Sequence, residues 1–169
     1  MTTNQRVVAH LLSLFDGVYY TLGHAAPTLS NDAYVICVHD LSRIFGEVAL
    51  ELRSIDNDEV TGPWPIVEGV LNAAHHNDET GAMLLYAMSM VVGPRILISL
   101  LDARTVVDSE ELRSTFDAAS QRVVSSIHAI GEVARHQPVI DDEAWQLAAR
   151  DLSEMLEMAG HAESFGITH

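Results

Sequence analysis

Lysine is absent from this chain of 169 residues, and only nine arginines offset twenty-four aspartates and glutamates. The formal net charge is -15 at pH 7 with histidine counted as neutral. A surface this acidic repels nucleic-acid phosphates and anionic lipid headgroups, so we expect neither as a partner. We attribute the missing lysine to GC-rich coding; the alternative is escape from degradation tags that are attached to lysine.

Cysteine and recognisable catalytic motifs are also scarce. Cys37 is the only cysteine, which excludes an intrachain disulfide framework. The sequence contains no Gly-x-Ser-x-Gly elbow and no phosphate-binding glycine loop, so it favours a non-enzymatic protein without a cofactor. Polar and acidic residues interrupt the apolar positions at the start of the chain, unlike a signal peptide. We therefore expect a cytoplasmic protein.

Helical periodicity is present throughout, whereas the alternation typical of strands is missing. Apolar residues recur every three or four positions in a first helix from Thr3 to Leu22, and Gly23 predicts its end. Ser30 or Asn31 can cap a second helix. The predicted core face of this second helix comprises Tyr34, Cys37, Leu41, Ile44, Phe45, Val48, Leu52 and Ile55.

The segment from Ala82 to Leu101 is the most apolar part of the chain. Its first half has no charged residue, which is typical of a helix buried on all sides. Gly93-Pro94 predicts an interruption, because proline removes a backbone donor and clashes with the preceding turn. Arg95, Ser99 and Asp102 share one helix face, which we interpret as a solvated face rather than part of a membrane span.

The next helix begins at the acidic sequence Asp108 to Glu111, which resembles a capping box with Asp108 as the cap. Pro138 limits the helix at its other end. Its predicted core face comprises Leu112, Phe116, Ala119, Val123, Ile127, Ile130 and Ala134.

A last amphipathic helix is predicted from Asp141 or Asp142 to Gly160. Together, these segments predict an all-α, single-domain bundle of six or seven helices around a central apolar helix, at about Ala82 to Leu101. The predicted domain covers residues 1–160, and residues 161–169 form a frayed C-terminal tail.

An acidic ridge on the second helix is the first candidate site. Asp40, Glu47 and Glu51 fall within about 40° on the helical wheel, beside the core face. Trp64, between two prolines, presents an aromatic ring on a stiff loop. These four residues predict a docking surface for a protein partner, for which a basic surface is one candidate.

A small-molecule pocket is the alternative. Arg95 follows the Gly93-Pro94 interruption, where its guanidinium could hold an anionic ligand. Met83, Tyr86 and Met90 precede it in the apolar segment and could line the pocket. Ordinary core packing by the methionines is the competing interpretation.

A metal site is the third possibility. His128, Glu132 and His136 are spaced four apart, as two imidazoles and a carboxylate would be on one helix face. The helical wheel places Glu132 and His136 opposite the core face, which favours solvated side chains paired at four-residue spacing.

Apolar residues outside the core faces bear on assembly. Val35 and Ile36 extend the apolar surface of the second helix at its start, and Leu147 and Met158 do the same on the last helix. Such residues contact other helices or a second copy of the chain, and we expect a homodimer. The sequence therefore predicts an acidic interaction or regulatory module that binds a protein partner.

Overall fold

The computed structural model describes residues 2–55 and 65–137, together with Arg150 and Glu154. These residues confirm the predicted all-α bundle with an apolar central helix. The α-helices are α1 (Thr3–Ala25), α2 (Asp32–Ile55), α3 (Pro65–Asn77), α4 (Ala82–Ala87), α5 (Gly93–Val106) and α6 (Glu110–Arg135). A 3-10 turn, Ala26–Thr28, follows α1, and a π-helical turn, Met88–Val92, joins α4 to α5 in one continuous helix.

Four helices pack side by side in the ring order α1, α2, α6, α5. Short connections make α1 and α2 one antiparallel hairpin, and α5 and α6 another. The two hairpins also meet antiparallel: Asn4 donates to Asp108 beyond the end of α5, at 2.6 Å, and Asn31 before α2 donates to Gln137 beyond α6, at 3.0 Å. Helices α3 and α4 connect α2 to the diagonally opposite α5, and α3 packs on α1.

The core lies inside this ring and extends under α3 and α4. Helix α1 contributes twelve buried residues and leaves only a narrow outer strip exposed. Most of the core predicted for α2 is buried, although Ile55 at its end is exposed. The largest fully buried side chains are Phe15, Phe45, Phe116, Leu11, Leu12, Leu14, Leu22, Leu41, Leu52, Leu71, Leu84 and Met88. Burying each one contributes about 1.5–3 kcal/mol, so this core drives folding.

The predicted end of the first helix at Gly23 is wrong. Helix α1 continues to Ala25, because Gly23 serves the contact between helices instead of a turn. A Cβ atom at Gly23 would lie 3.3 Å from the Ser42 hydroxyl oxygen of α2. The glycine therefore allows α1 and α2 to approach closely.

The predicted interruption at Gly93-Pro94 takes the form of a π-helical turn: α4 ends at Ala87, Met88–Val92 are π-helical, and α5 begins at Gly93. The helix continues because the preceding turn is π-helical, and the Gly93 amide donates to the Met88 carbonyl oxygen. Pro94 then occupies the first turn of α5, where a missing amide proton costs least. The wider turn accommodates the proline without ending the helix.

Helix caps follow the sequence at α2 and depart from it at α6. The Asn31 side-chain oxygen accepts from the amides of Ala33 and Tyr34 at 3.0 and 3.2 Å, as the sequence predicts. At α6 the cap is Ser109, which accepts from the Leu112 amide. Asp108, the predicted cap, instead accepts the hydrogen bond from Asn4 of α1. Its side chain therefore joins two helices and does not cap α6.

Several predictions lie outside the described residues. These are the loop with Trp64, the domain boundary at residue 160, the tail, and the positions of Leu147 and Met158. Of the last predicted helix, Arg150 and Glu154 are described; both are helical and 3.8 Å apart in an ion pair.

The continuous helix Ala82–Val106 has the length and apolar composition of a membrane span. Core helices of soluble bundles share this property, and 56% of its most apolar window is buried inside the protein. The predicted solvated face is wrong at Ser99, which is buried. Asp102 on that face is exposed and Arg95 is half-buried.

Candidate functional site

A groove of about 810 Å³ runs between the outer faces of α1 and α2. Both helices are long, and they lie side by side on the face of the ring that points away from α5 and α6. We call this surface the α1–α2 groove. Its lining residues are Asp16, Tyr19, Tyr20, Gly23, His24, His39, Ser42, Arg43, Gly46, Glu47, Leu50 and Arg53.

Small residues make the groove concave. A Cβ atom at Gly46 would lie 2.7 Å from the Tyr19 ring, closer than atoms can pack. Ser42 donates from its hydroxyl to the Tyr19 carbonyl oxygen at 2.9 Å. This bond and the two glycines, Gly23 and Gly46, hold the helix backbones close together at the floor.

Aromatic and aliphatic side chains provide the apolar part of the groove. The rings of Tyr19 and Tyr20 lie 4.9 Å apart between centroids and are tilted by 58°. Tyr20 is 50% exposed and Leu50, on the α2 side, is 63% exposed. Side chains of this size on one concave surface offer contact area to a partner.

Two ion pairs neutralise the groove. Arg43 contacts Glu47 at 2.6 Å within α2, and Arg53 contacts Asp16 across the two helices at 2.6 Å. The formal charges of these four side chains cancel, in contrast to the net charge of -15 for the whole chain. The groove therefore offers charges of both signs in fixed positions.

The predicted acidic ridge separates into three environments. Glu47 lines the groove beside Arg43, whereas Glu51 contacts Arg122 of α6 at 2.7 Å. Asp40 is exposed and lies near Cys37. Two of the three carboxylates thus already have an arginine partner, and the partner-binding role of the ridge stays a prediction.

The residues of the predicted small-molecule pocket differ in environment. Met83 is a core residue, Tyr86 and Arg95 are half-buried, and Met90 is 62% exposed. Three large apolar side chains of α5 and α6 are exposed as well: Ile98, Leu101 and Val124. Ligand binding near Arg95 stays a prediction.

The predicted metal ligands lie on the solvent side of α6, as the helical wheel indicates. The His128 ring nitrogen is 3.8 Å from the Glu132 carboxylate, which also contacts Arg135 at 2.9 Å. His136 is exposed just beyond the end of α6. In the part of the chain that the structure describes, no group of three or more His, Cys, Asp or Glu side chains is placed to hold a metal ion.

Cys37 is buried in the core, as its position on the α2 core face predicts. Burial and, to a lesser extent, the nearby Asp40 carboxylate raise the pKa of its thiol to about 11. At neutral pH the side chain is therefore a protonated thiol, which is a poor nucleophile.

Sequence reasoning missed the groove because periodicity assigns residues to a core face one helix at a time. Tyr19 belongs to the apolar stripe of α1, and that pattern does not show that its ring packs on Gly46 of α2 and stays partly exposed. Leu50, an aliphatic residue outside the core face of α2, is the signal that could have indicated an apolar outer surface. No protein-family model, curated protein or solved structure matches this chain.

Proposed function

We propose that this protein is a non-enzymatic interaction module that binds a helical segment of a protein partner in the α1–α2 groove. The observation that supports the proposal is the groove itself, in which exposed tyrosines and a leucine lie beside two arginine–carboxylate pairs. Tyrosine and arginine are among the residues that contribute most binding energy at protein interfaces.

The shape of the groove favours a helical segment as the ligand. The lining residues run from Asp16 to His24 on α1 and from His39 to Arg53 on α2, so the groove is open and about 21 Å long on the α2 side. Amphipathic helices bind such grooves through apolar residues at spacings of three, four and seven. Tyr19, Tyr20 and Leu50 can receive those residues.

The charges favour a partner that carries both signs. Glu47 and Asp16 already contact arginines, so a purely basic partner would have to compete with Arg43 and Arg53. A segment with acidic and basic residues can pair with all four groups at once. The charges in the groove therefore favour a partner segment with both acidic and basic residues over the basic partner predicted from net charge.

Photocrosslinking in cells of the native host tests this proposal. A photoreactive phenylalanine analogue replaces Tyr20 in the groove and, as the control, Gln121 on the exposed side of α6. We expect a discrete covalent protein adduct from position 20 that Leu50→Arg abolishes, because the arginine removes an apolar contact and adds a charge. The same substitution at the similarly exposed Leu101 should leave the adduct unchanged.

Two results would contradict the proposal. One is the absence of any adduct at position 20 when the protein is folded and expressed. The other is an adduct that forms equally at positions 20 and 121, since that pattern indicates random collision instead of a defined interface.

A further inference from the structure

A stripe of five exposed residues on the outer surface of α2 has a large aliphatic residue at each end. Ile36 and Leu50 are its two ends, and they are 65% and 63% exposed. They are fourteen residues apart, which places them about 21 Å from each other and within about 40° on the helix surface. His39, Arg43 and Glu47 lie between them. We call these five residues the α2 stripe.

We propose that the occupant of the α1–α2 groove is the α2 stripe of a second copy of this chain, related by a two-fold axis near Arg43. This inference rests on the proposed function, because it names the partner for the same surface. A two-fold interface uses one patch twice, so the patch must be complementary to itself.

The ends of the stripe meet this requirement. When two α2 helices cross antiparallel near Arg43, Ile36 lies against the partner subunit's Leu50, and Leu50 lies against the partner subunit's Ile36. Both residues lose water contact in this pairing, which is favourable for large aliphatic side chains. The contact occurs twice by symmetry.

The centre of the stripe is complementary in charge. Arg43 and Glu47 form an ion pair within one copy at 2.6 Å. In this register the two arginines at position 43 meet at the axis, and each lies between its own Glu47 and the partner subunit's Glu47. His39 faces the partner subunit's Glu47 from the next turn. The central cluster has no net charge from its arginines and glutamates.

Electrostatics restrict where two copies can meet. Each chain carries a formal charge of -15, so most pairings of surfaces would place carboxylates against carboxylates. Charges farther apart than about 8 Å are largely screened at physiological salt, so the groups in contact decide the outcome. At the α2 stripe and the adjoining pair of Arg53 and Asp16, positive and negative groups are equal in number.

The dimer is tested by sedimentation velocity of the purified full chain over a dilution series. We expect a species of twice the 18.5 kDa chain mass that dissociates on dilution. Leu50→Arg should weaken the dimer at least about tenfold, the effect of losing about 1.4 kcal/mol. Leu101→Arg, on the opposite side of the bundle, is the matched control and should leave the dissociation constant unchanged.

A charge exchange tests the register. Arg43→Glu alone clusters four glutamates at the axis and should dissociate the dimer, because like charges in contact oppose binding. Adding Glu47→Arg restores two charges of each sign and should restore the dimer. Thermal melts of every variant show whether the fold is intact, which is expected because these residues are exposed.

Three results would overturn the inference: a wild-type chain that is monomeric at every concentration, a dimer that Leu101→Arg breaks and Leu50→Arg does not, or an Arg43→Glu variant that dimerises like the wild type. If the chain is monomeric while position 20 crosslinks a different protein, the second copy is wrong and the proposed function stands. If the chain dimerises through another face and position 20 gives no adduct, both fail.

Discussion

Replacing Gly93 by alanine should destabilise the protein, although helix propensity alone predicts the opposite. Gly93 has helical backbone angles, with φ at -57° and ψ at -52°. In an exposed helix interior, alanine is more stable than glycine by about 0.8–1 kcal/mol. A Cβ atom at Gly93, however, would lie 2.7 Å from the Met88 carbonyl oxygen and 2.9 Å from Cδ1 of Ile127.

The closer of these two contacts cannot relax easily. The Met88 carbonyl oxygen accepts the hydrogen bond from the Gly93 amide in the π-helical turn, so moving it strains that bond. Overpacking of this kind costs about 1–3 kcal/mol. After the gain in helix propensity is subtracted, we expect a net loss of up to about 2 kcal/mol for Gly93→Ala.

Gly131 supplies the matched control, because it lies in α6 and a Cβ atom there would meet nothing within 4 Å. Gly131→Ala should stabilise the protein by about 0.5–1 kcal/mol. Thermal unfolding followed by circular dichroism measures both effects, at about 2–4 °C per kcal/mol for a chain of this size. Equal stabilisation by the two alanines would refute the close contact at Gly93.

Two further predictions concern the core. Leu85 is 2% exposed, so Leu85→Asp buries an unpaired charge and should lower the free energy of unfolding by about 4 kcal/mol or more. Leu101→Asp, on the exposed side of α5, should lower it by less than about 1 kcal/mol. Equal losses in urea titrations would contradict the central position of Leu85. Burial lowers the pKa of His10 below its ordinary value of 6.5. As pH falls, the unfolded chain therefore protonates His10 before the folded chain does, and the free energy of unfolding decreases as pH drops through 6.5. His10→Gln should flatten this dependence of the unfolding free energy on pH between about 7.5 and 5.5.

Among the described residues, the sequence predicted the helices and most buried positions, because both depend on local periodicity; Ala134 of the predicted α6 core face is exposed. Helix α2 illustrates this: Asn31 caps it and most of its predicted core face is buried. The predictions were wrong where a contact between helices gave a residue a different structural role. Gly23 permits close packing of α1 and α2 instead of ending α1. Asp108 accepts a hydrogen bond from Asn4, and Ser109 caps α6 in its place.

The candidate site was harder to predict for the same reason. The groove depends on Gly46 admitting the Tyr19 ring and on Arg53 reaching Asp16, two contacts between residues that are distant in sequence. A helical wheel treats each helix in isolation and cannot show such contacts. It did place Glu47 and Ile36 outside the core face of α2, and both side chains are exposed.

The π-helical turn Met88–Val92 sets the rotational phase of everything that follows it. Each residue of an α-helix advances the chain by about 100° around the axis, and the wider π turn absorbs one residue without that advance. Winding the same five residues as a regular α-helix would rotate α5 relative to α4 by one residue's advance, about 100°. Leu100, now buried, would then lie where the exposed Leu101 now lies, and Asp102 would turn toward the core. The π-helical winding of this turn therefore determines which side of α5 faces inward.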